Sequence, residues 1–177
     1  IIILELDMII SVPKEIKKHE YRVSMTPDAV AECVAHGHEV WVQTGAGAGI
    51  GFEDADYIQA GAHIADNAED TFAKGELIVK VKEPQLHECA MIRADQTLFT
   101  YLHLAADKPQ AEALCKSGST CIAYETVTDT HGRLPLLSPM SEVAGRMSVQ
   151  VGATALERHN GGRGLLLGGV PGVAPAK

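Results

Sequence analysis

The sequence is short of cations, aromatics, paired cysteines and long apolar runs, and each shortage removes a class of function. Lys and Arg number 15 against 23 Asp and Glu, a formal charge of −8. Without surplus cations to displace counterions, a nucleic-acid backbone is not an expected partner. Aromatics are 5% of the chain, too sparse for a base-stacking platform. No stretch approaches the ~18 uninterrupted apolar residues of a membrane span, so no membrane partner is expected. The opening IIILELDMII is interrupted by Glu5 and Asp7 and lacks a following basic region or cleavage site, so it is not read as a signal peptide. Met8 is the expected biological start, with residues 1–7 a remnant or extension. The cysteines (Cys33, Cys89, Cys115, Cys121) show no CxxC spacing and sit in apolar segments, as free thiols of a cytoplasmic protein do. The histidines are scattered, with no pair at ligand spacing on one helix face, and no metal is assigned.

What is present suffices for one core. The chain has 177 residues, 46% of them hydrophobic, and a chain of this length buries roughly 70% of its extended surface. Glycine punctuates it. Gly37, Gly61, Gly75 and Gly118 each stand where a helix-like segment gives way to a short apolar run. A left-handed glycine closes a helix there and turns the chain into a strand. Thr26-Pro27-Asp28 reads as a helix start, with Val30, Cys33 and Val34 as its apolar stripe. Asp66 and Asp107 are the expected caps of the next two helices. The runs MIISV (8–12), EVWV (39–42), LIVKV (77–81), TLFTYLHL (97–104) and CIAYETV (121–127) are near-continuously apolar, as strands covered on both faces are.

Strand–helix alternation predicts an α/β fold: a Rossmann-like (flavodoxin-like) parallel sheet with helices on both faces. A long connecting helix is expected from about Pro139 to His159, with Met140, Val143, Met147 and Val151 on one face. The glycine run GAGAGIGF (45–52) fails the GxGxxG spacing and reads as a flexible strand-to-helix loop, not a dinucleotide cradle. In an open parallel sheet, ligands collect beyond the carboxyl ends of the strands. That edge gathers Lys14, Arg22, Lys82, Tyr101 and His103, with Glu125 on the last strand and Lys80 adding a second cation beside Lys82. The cluster suits a small carboxylate. Each member also has a plainer reading: Lys82 as a solvated strand-end lysine, Arg22 as the partner of Glu20 in a surface ion pair, His103 as a core histidine.

The segments SVPKEIKKHEYRVSMTP, HGHEVWVQTGAGAGIGFEDADYIQAGA, IVKVKEPQ, LFTYLHLA, CIAYETV, LPLLSPMSEVAGRMSVQVGA and GGRGLLLGGVPGVAPAK closely resemble the bacterial alanine dehydrogenase family, from Met8 to Lys177. The α subunit of proton-translocating transhydrogenase resembles the first segment more weakly and is the alternative. The stronger resemblance implies NAD-dependent, reversible oxidative deamination of L-alanine to pyruvate and ammonia in a homo-oligomer, typically a hexamer. It implies that Arg22 in HEYRV holds the substrate carboxylate and that Lys82 in VKVKEP also binds substrate. His103 in YLHLA matches the catalytic histidine, with Tyr101 and Met140 in the same pocket and Ser141 near the cofactor. It further implies that residues 8–135 are an incomplete substrate-binding domain and 136–177 a connector with the start of a nucleotide domain. The missing nucleotide domain would hold most of the NAD and a second catalytic residue, so the chain alone is expected to be inactive. A non-enzymatic receiver-like module is disfavoured, because strand-end cations replace the acids such a site needs. A truncated subunit that acts only in assembly is the remaining alternative.

Overall fold

The computed structural model describes residues 7–176; residues 1–6, within the expected leading extension, and Lys177 lie outside the described residues. The chain divides into two compact units, Ile1–Thr126 and Val127–Lys177. Among the described residues of the first, six strands form one sheet: β1 (Ile9–Val12), β2 (Glu39–Gln43), β3 (His63–Ala65), β4 (Leu77–Val79), β5 (Thr97–Thr100) and β6 (Thr120–Ala123). Every pair is parallel, and the order is β3-β2-β1-β4-β5-β6, the Rossmann arrangement. The order in which successive strands are added reverses between β1 and β4, the position where open parallel sheets have a crevice beyond the strands' carboxyl ends.

The helices are α1 (Pro27–Ala35), α2 (Asp54–Gln59), α3 (Ala68–Lys74), α4 (Leu86–Cys89) and α5 (Lys108–Ser117). Successive strand residues point to opposite faces, so Ile78 and Val79 enter different cores. Val79 joins Ile10, Val12, Val30 and Tyr57 under α1 and α2, whereas Ile78 joins Phe72, Leu98 and Leu114 under α3 and α5. Both faces are therefore covered, as the apolar runs require.

Several local expectations are corrected. The run AHIAD supplies a sixth strand, β3. Strands β4, β5 and β6 are shorter than their apolar runs, and the chain coils into 3₁₀ turns at Leu104–Ala106 and Tyr124–Thr126. The cap of α3 is Asn67, whose side-chain oxygen accepts from Asp70 N at 2.8 Å, not Asp66. Gly37, Gly61 and Gly118 are left-handed, but Gly75 is extended, with φ −70°. Its glycine is required by crowding instead: a Cβ there would overlap the Ser11 hydroxyl.

The second unit, described by itself, is built on α6 (Ser138–Leu156), three residues shorter at its end than the sequence suggested, with a 3₁₀ turn at Arg158–Asn160. Met140, Val143, Met147 and Val151 are exposed along it. No helix among the described residues is long and apolar enough to cross a membrane.

Candidate functional site

The loop after β1 carries Arg22. Pro13 has no N–H to continue the ladder, and the chain swings out before returning to α1. Two bonds pin its return: Ser24 Oγ donates to Val79 O at 2.6 Å, and the buried Tyr57 hydroxyl donates to Met25 O at 2.9 Å. Burial pushes Tyr57 up to about 12 and keeps it a donor. Arg22 donates through Nε (2.8 Å) and Nη2 (2.7 Å) to the two oxygens of Glu20. The ion pair foreseen as the plain alternative is thus formed, and it orients the guanidinium. The hydrogen bond from Arg22 holds the Glu20 carboxyl below its usual value against the opposing effect of burial, and Lys82 adds attraction.

The glycine run is a packed floor, not a slack loop. A Cβ on Gly47 would lie 2.8 Å from Phe52 and Tyr57 atoms, and one on Gly49 would lie 2.6 Å from Tyr21 O. Gly45, Ala46, Ala48 and Gly49 line a cavity of about 180 Å³ with Lys14, Glu15, Glu20, Tyr21 and Arg22.

Lys82 follows β4 at the crevice and is half-buried. Its main chain is held on both sides: its N–H donates to Glu15 Oε1 at 3.4 Å, and its carbonyl accepts from Thr100 Oγ1 at 3.0 Å. Lys80 does not reinforce a cationic rim. It is fully buried, with Nζ 3.3 Å from Glu15 Oε2 and 3.0 Å from Glu88 Oε1. An ammonium removed from water needs such partners. Lys17, in the Arg22 loop, also pairs with Glu83, beside Lys82.

Tyr101 and His103 stand just past β5 rather than on it. His103 is exposed, not a core histidine, and its backbone is left-handed at φ 48°. Glu125 supports this unusual turn: Oε1 accepts from His103 N at 2.7 Å and from Leu102 N at 3.1 Å, and it lies 3.9 Å from His103 Nδ1. Burial raises the Glu125 carboxyl, but the N–H groups of His103, Glu125 and Leu102, with the His103 ring, outweigh it and leave it below the usual carboxylate value. The Tyr101 and His103 rings stack with centroids 5.8 Å apart, and Tyr101 meets Tyr124 edge-on at 5.0 Å. Burial raises the Tyr101 hydroxyl, Arg22 opposes this and Glu125 adds to it.

The carboxyl ends of β1, β4 and β5 therefore bring Lys14, Arg22, Lys82, Tyr101 and His103 to one side of the first unit. Arg22 acts electrostatically on Tyr101, and Lys82 on Glu20. Met140 and Ser141 belong to the second unit, in the first turn of α6, where Met140 N and Ser141 Oγ both donate to Leu137 O. Sequence reasoning missed Glu15 and the orienting part of Glu20. The signal for Glu15 was Lys80 itself, a cation inside an apolar run that demands a buried counter-ion.

Comparisons with known proteins find relatives over almost the whole chain. Residues 11–144 match the family described as alanine dehydrogenase/PNT, N-terminal domain, and residues 148–177 match its C-terminal domain. The chain is 58% identical over 170 residues to an alanine dehydrogenase of Halomonas elongata, covering 96% of this chain and 46% of that one. With the alanine dehydrogenase of Bacillus subtilis it shares 53% over 171 residues, covering 96% and 44%. A solved L-alanine dehydrogenase superposes with a TM-score of 0.84 at 54% identity, covering 96% of this chain and 46% of that one. A transhydrogenase from Sinorhizobium meliloti is more distant, with a TM-score of 0.65 at 26% identity over 70% of this chain and 35% of that one. The chain thus spans less than half the length of the curated relatives it matches. On the family match over most of its residues, the chain belongs to the alanine dehydrogenase/PNT family.

Proposed function

We propose that this chain is the substrate-binding part of an NAD-dependent alanine dehydrogenase, which interconverts L-alanine with pyruvate and ammonia. The observation that carries the reading is the convergence of Arg22, Lys82, Tyr101 and His103 beyond the strand ends flanking the β1/β4 reversal. Alanine and pyruvate share a carboxylate, and a guanidinium held in orientation by Glu20 suits it. Glu20 sets the direction of the guanidinium, and the guanidinium supplies the charge and the planar donors that a carboxylate takes. Lys82, a point charge on a clamped backbone, polarises the keto oxygen of pyruvate. His103, at the exposed mouth with Glu125 beside Nδ1, moves the proton as ammonia adds to the carbonyl or water displaces it, a role typically worth 10²- to 10⁴-fold in rate.

The first unit does not fit the dinucleotide itself. Gly47 and Gly49 are packed against Phe52, Tyr57 and Tyr21, so packing accounts for these glycines without a pyrophosphate, and the run lacks the GxGxxG spacing. NAD, when bound, would supply the hydride acceptor for the alanine Cα; residues outside the first unit would hold it, with Ser141 proposed as this chain's contact. Met140 is proposed as a further substrate-binding residue on the family resemblance alone. Residues 8–135 form the substrate domain, and 136–177 the connector and the beginning of the nucleotide domain. The match of 148–177 to the C-terminal domain supports a second domain that begins within 136–177. A cytoplasmic homo-oligomer, a hexamer in the full-length protein, completes the proposal.

Arg22→Ala and Lys82→Ala test it, with pyruvate reduction assayed in the full-length protein. Each loss of a charged hydrogen-bonding partner is expected to weaken pyruvate binding by about 1.5–3 kcal/mol. Unchanged pyruvate KM in both variants refutes the site. The 177 residues alone are expected to make no NADH from alanine, and turnover by them would refute the division.

A further inference from the structure

We propose that Glu15 is a positioning residue: its buried carboxylate bridges the β1/β4 crevice and fixes the backbone from which Lys82 reaches the substrate. The inference rests on the assignment of Lys82 to pyruvate binding.

The geometry begins with the strand ends. β1 and β4 pair in parallel at Ile10↔Leu77 and Ser11↔Ile78, and β4 ends at Val79. Beyond that point the β5 side continues to support the chain: Lys80 N donates to Phe99 O at 3.1 Å and Tyr101 N to Val81 O at 3.3 Å. On the opposite side, Pro13 has diverted β1, and the N–H groups of Val81 and Lys82 have lost their neighbouring strand. Glu15 takes its place. Its Oε1 accepts from Val81 N at 2.7 Å and from Lys82 N at 3.4 Å. One side chain thus extends the sheet's bonding across the position where the strand order reverses.

The other oxygen meets the cation that offsets part of the cost of burying this carboxylate. Oε2 lies 3.3 Å from Lys80 Nζ, and Lys80 is held in turn by Glu88 at 3.0 Å; the three side chains are 3%, 0% and 3% exposed. Glu88 Oε2 is itself tied to Gln85 N at 2.7 Å, at the start of α4. Both oxygens of Glu15 therefore face donors. A glutamine cannot reproduce this, because whichever way its amide turns, its NH₂ meets another donor. Displacement of a substrate-positioning group by about 1 Å can cost on the order of 10²-fold, so even a small relaxation of residues 81–82 registers in pyruvate binding.

Four substitutions in the full-length protein separate positioning from mere stability. Glu15→Gln is expected to raise the pyruvate KM about tenfold. Glu88→Gln breaks the other half of the buried triad without touching Val81 or Lys82; it is expected to lower the melting temperature while leaving pyruvate KM within about twofold. In a Lys82→Ala background, Glu15→Gln is expected to add less than about twofold, since residues that act through one another are not additive. Should Glu15→Gln fold poorly, Glu15→Asp keeps the charge opposite Lys80 but withdraws the carboxylate from the two N–H groups, and an intermediate rise in KM is expected. Unchanged KM in Glu15→Gln and Glu15→Asp, or a full tenfold effect persisting without Lys82, overturns the positioning role while leaving the Lys82 assignment intact. Unchanged KM in Lys82→Ala alone overturns both.

Discussion

Replacing Lys80 by methionine isolates the energetics of the buried triad. The side chain is fully buried between two carboxylates that are 3% exposed, at 3.3 and 3.0 Å. At an effective dielectric of about 20, each contact is worth roughly 5 kcal/mol of attraction, most of it consumed in desolvating the three ions. Methionine fills the volume but leaves Glu15 and Glu88 facing each other without a cation, and breaking a buried pair in this way costs about 3–5 kcal/mol. The loss should depend on pH. Burial raises the Glu15 carboxyl, and Lys80 is the largest of the influences that lower it. Removing Lys80 raises it further. A carboxyl with a raised folded-state pKa is at no disadvantage below its unfolded value, near 4.5, and carries its full penalty only above the folded value. Urea denaturation of Lys80→Met and the unsubstituted chain between pH 4.5 and 8 measures this. The deficit is expected to be largest at the alkaline end and to shrink as pH falls. A deficit below about 1 kcal/mol at pH 7, or one that grows on acidification, refutes the picture of a cation compensating two buried anions.

Three further outcomes follow from the site. Arg22→Ala removes the bond that holds the Glu20 carboxyl low, so its NMR-detected pKa should rise toward 4.5; an unmoved titration would show that Arg22 does not set it. In the unsubstituted chain, the stability Glu20 contributes is present above 4.5 and lost as pH falls through its depressed value. Gly49→Ala forces a methyl to within 2.6 Å of Tyr21 O, and should cost about 1–3 kcal/mol together with a higher pyruvate KM, read by denaturation and steady-state kinetics. His103→Gly relieves the left-handed backbone at φ 48°, so stability should stay within about 1 kcal/mol while pyruvate reduction falls 10²-fold or more; a folded variant that keeps its activity would overturn the assignment.

Five strands were legible because burial on both sheet faces favours apolar residues, as in MIISV and EVWV; the three-residue β3, with His63 exposed, was not. The strand ends were not legible either. TLFTYLHL stays apolar after the ladder stops at Thr100, since Leu102 continues into the core while the chain has already left the sheet. Helix starts were legible where a proline marked them, at Pro27 and Pro109, and displaced by one residue where Asp66 and Asn67 offered equivalent oxygens. Among the candidate residues, Arg22 and His103 could be placed beyond the strand ends from local context. Glu15 could not, because in PKEIKK it resembles a solvated charge run and its partners lie 65 to 67 residues away. Lys80 and Lys82 look alike in VKVK. Only the packing of α4 against the end of β4 makes one a buried counter-ion and leaves the other at the crevice.

The most direct measurement is a crystal structure of the full-length protein with pyruvate bound. The account predicts the pyruvate carboxylate on the Arg22 guanidinium, its keto oxygen within hydrogen-bond distance of Lys82 Nζ, and the His103 ring at the mouth beside it. Pyruvate bound away from Arg22 and Lys82, with those two heads turned to other partners, would contradict it.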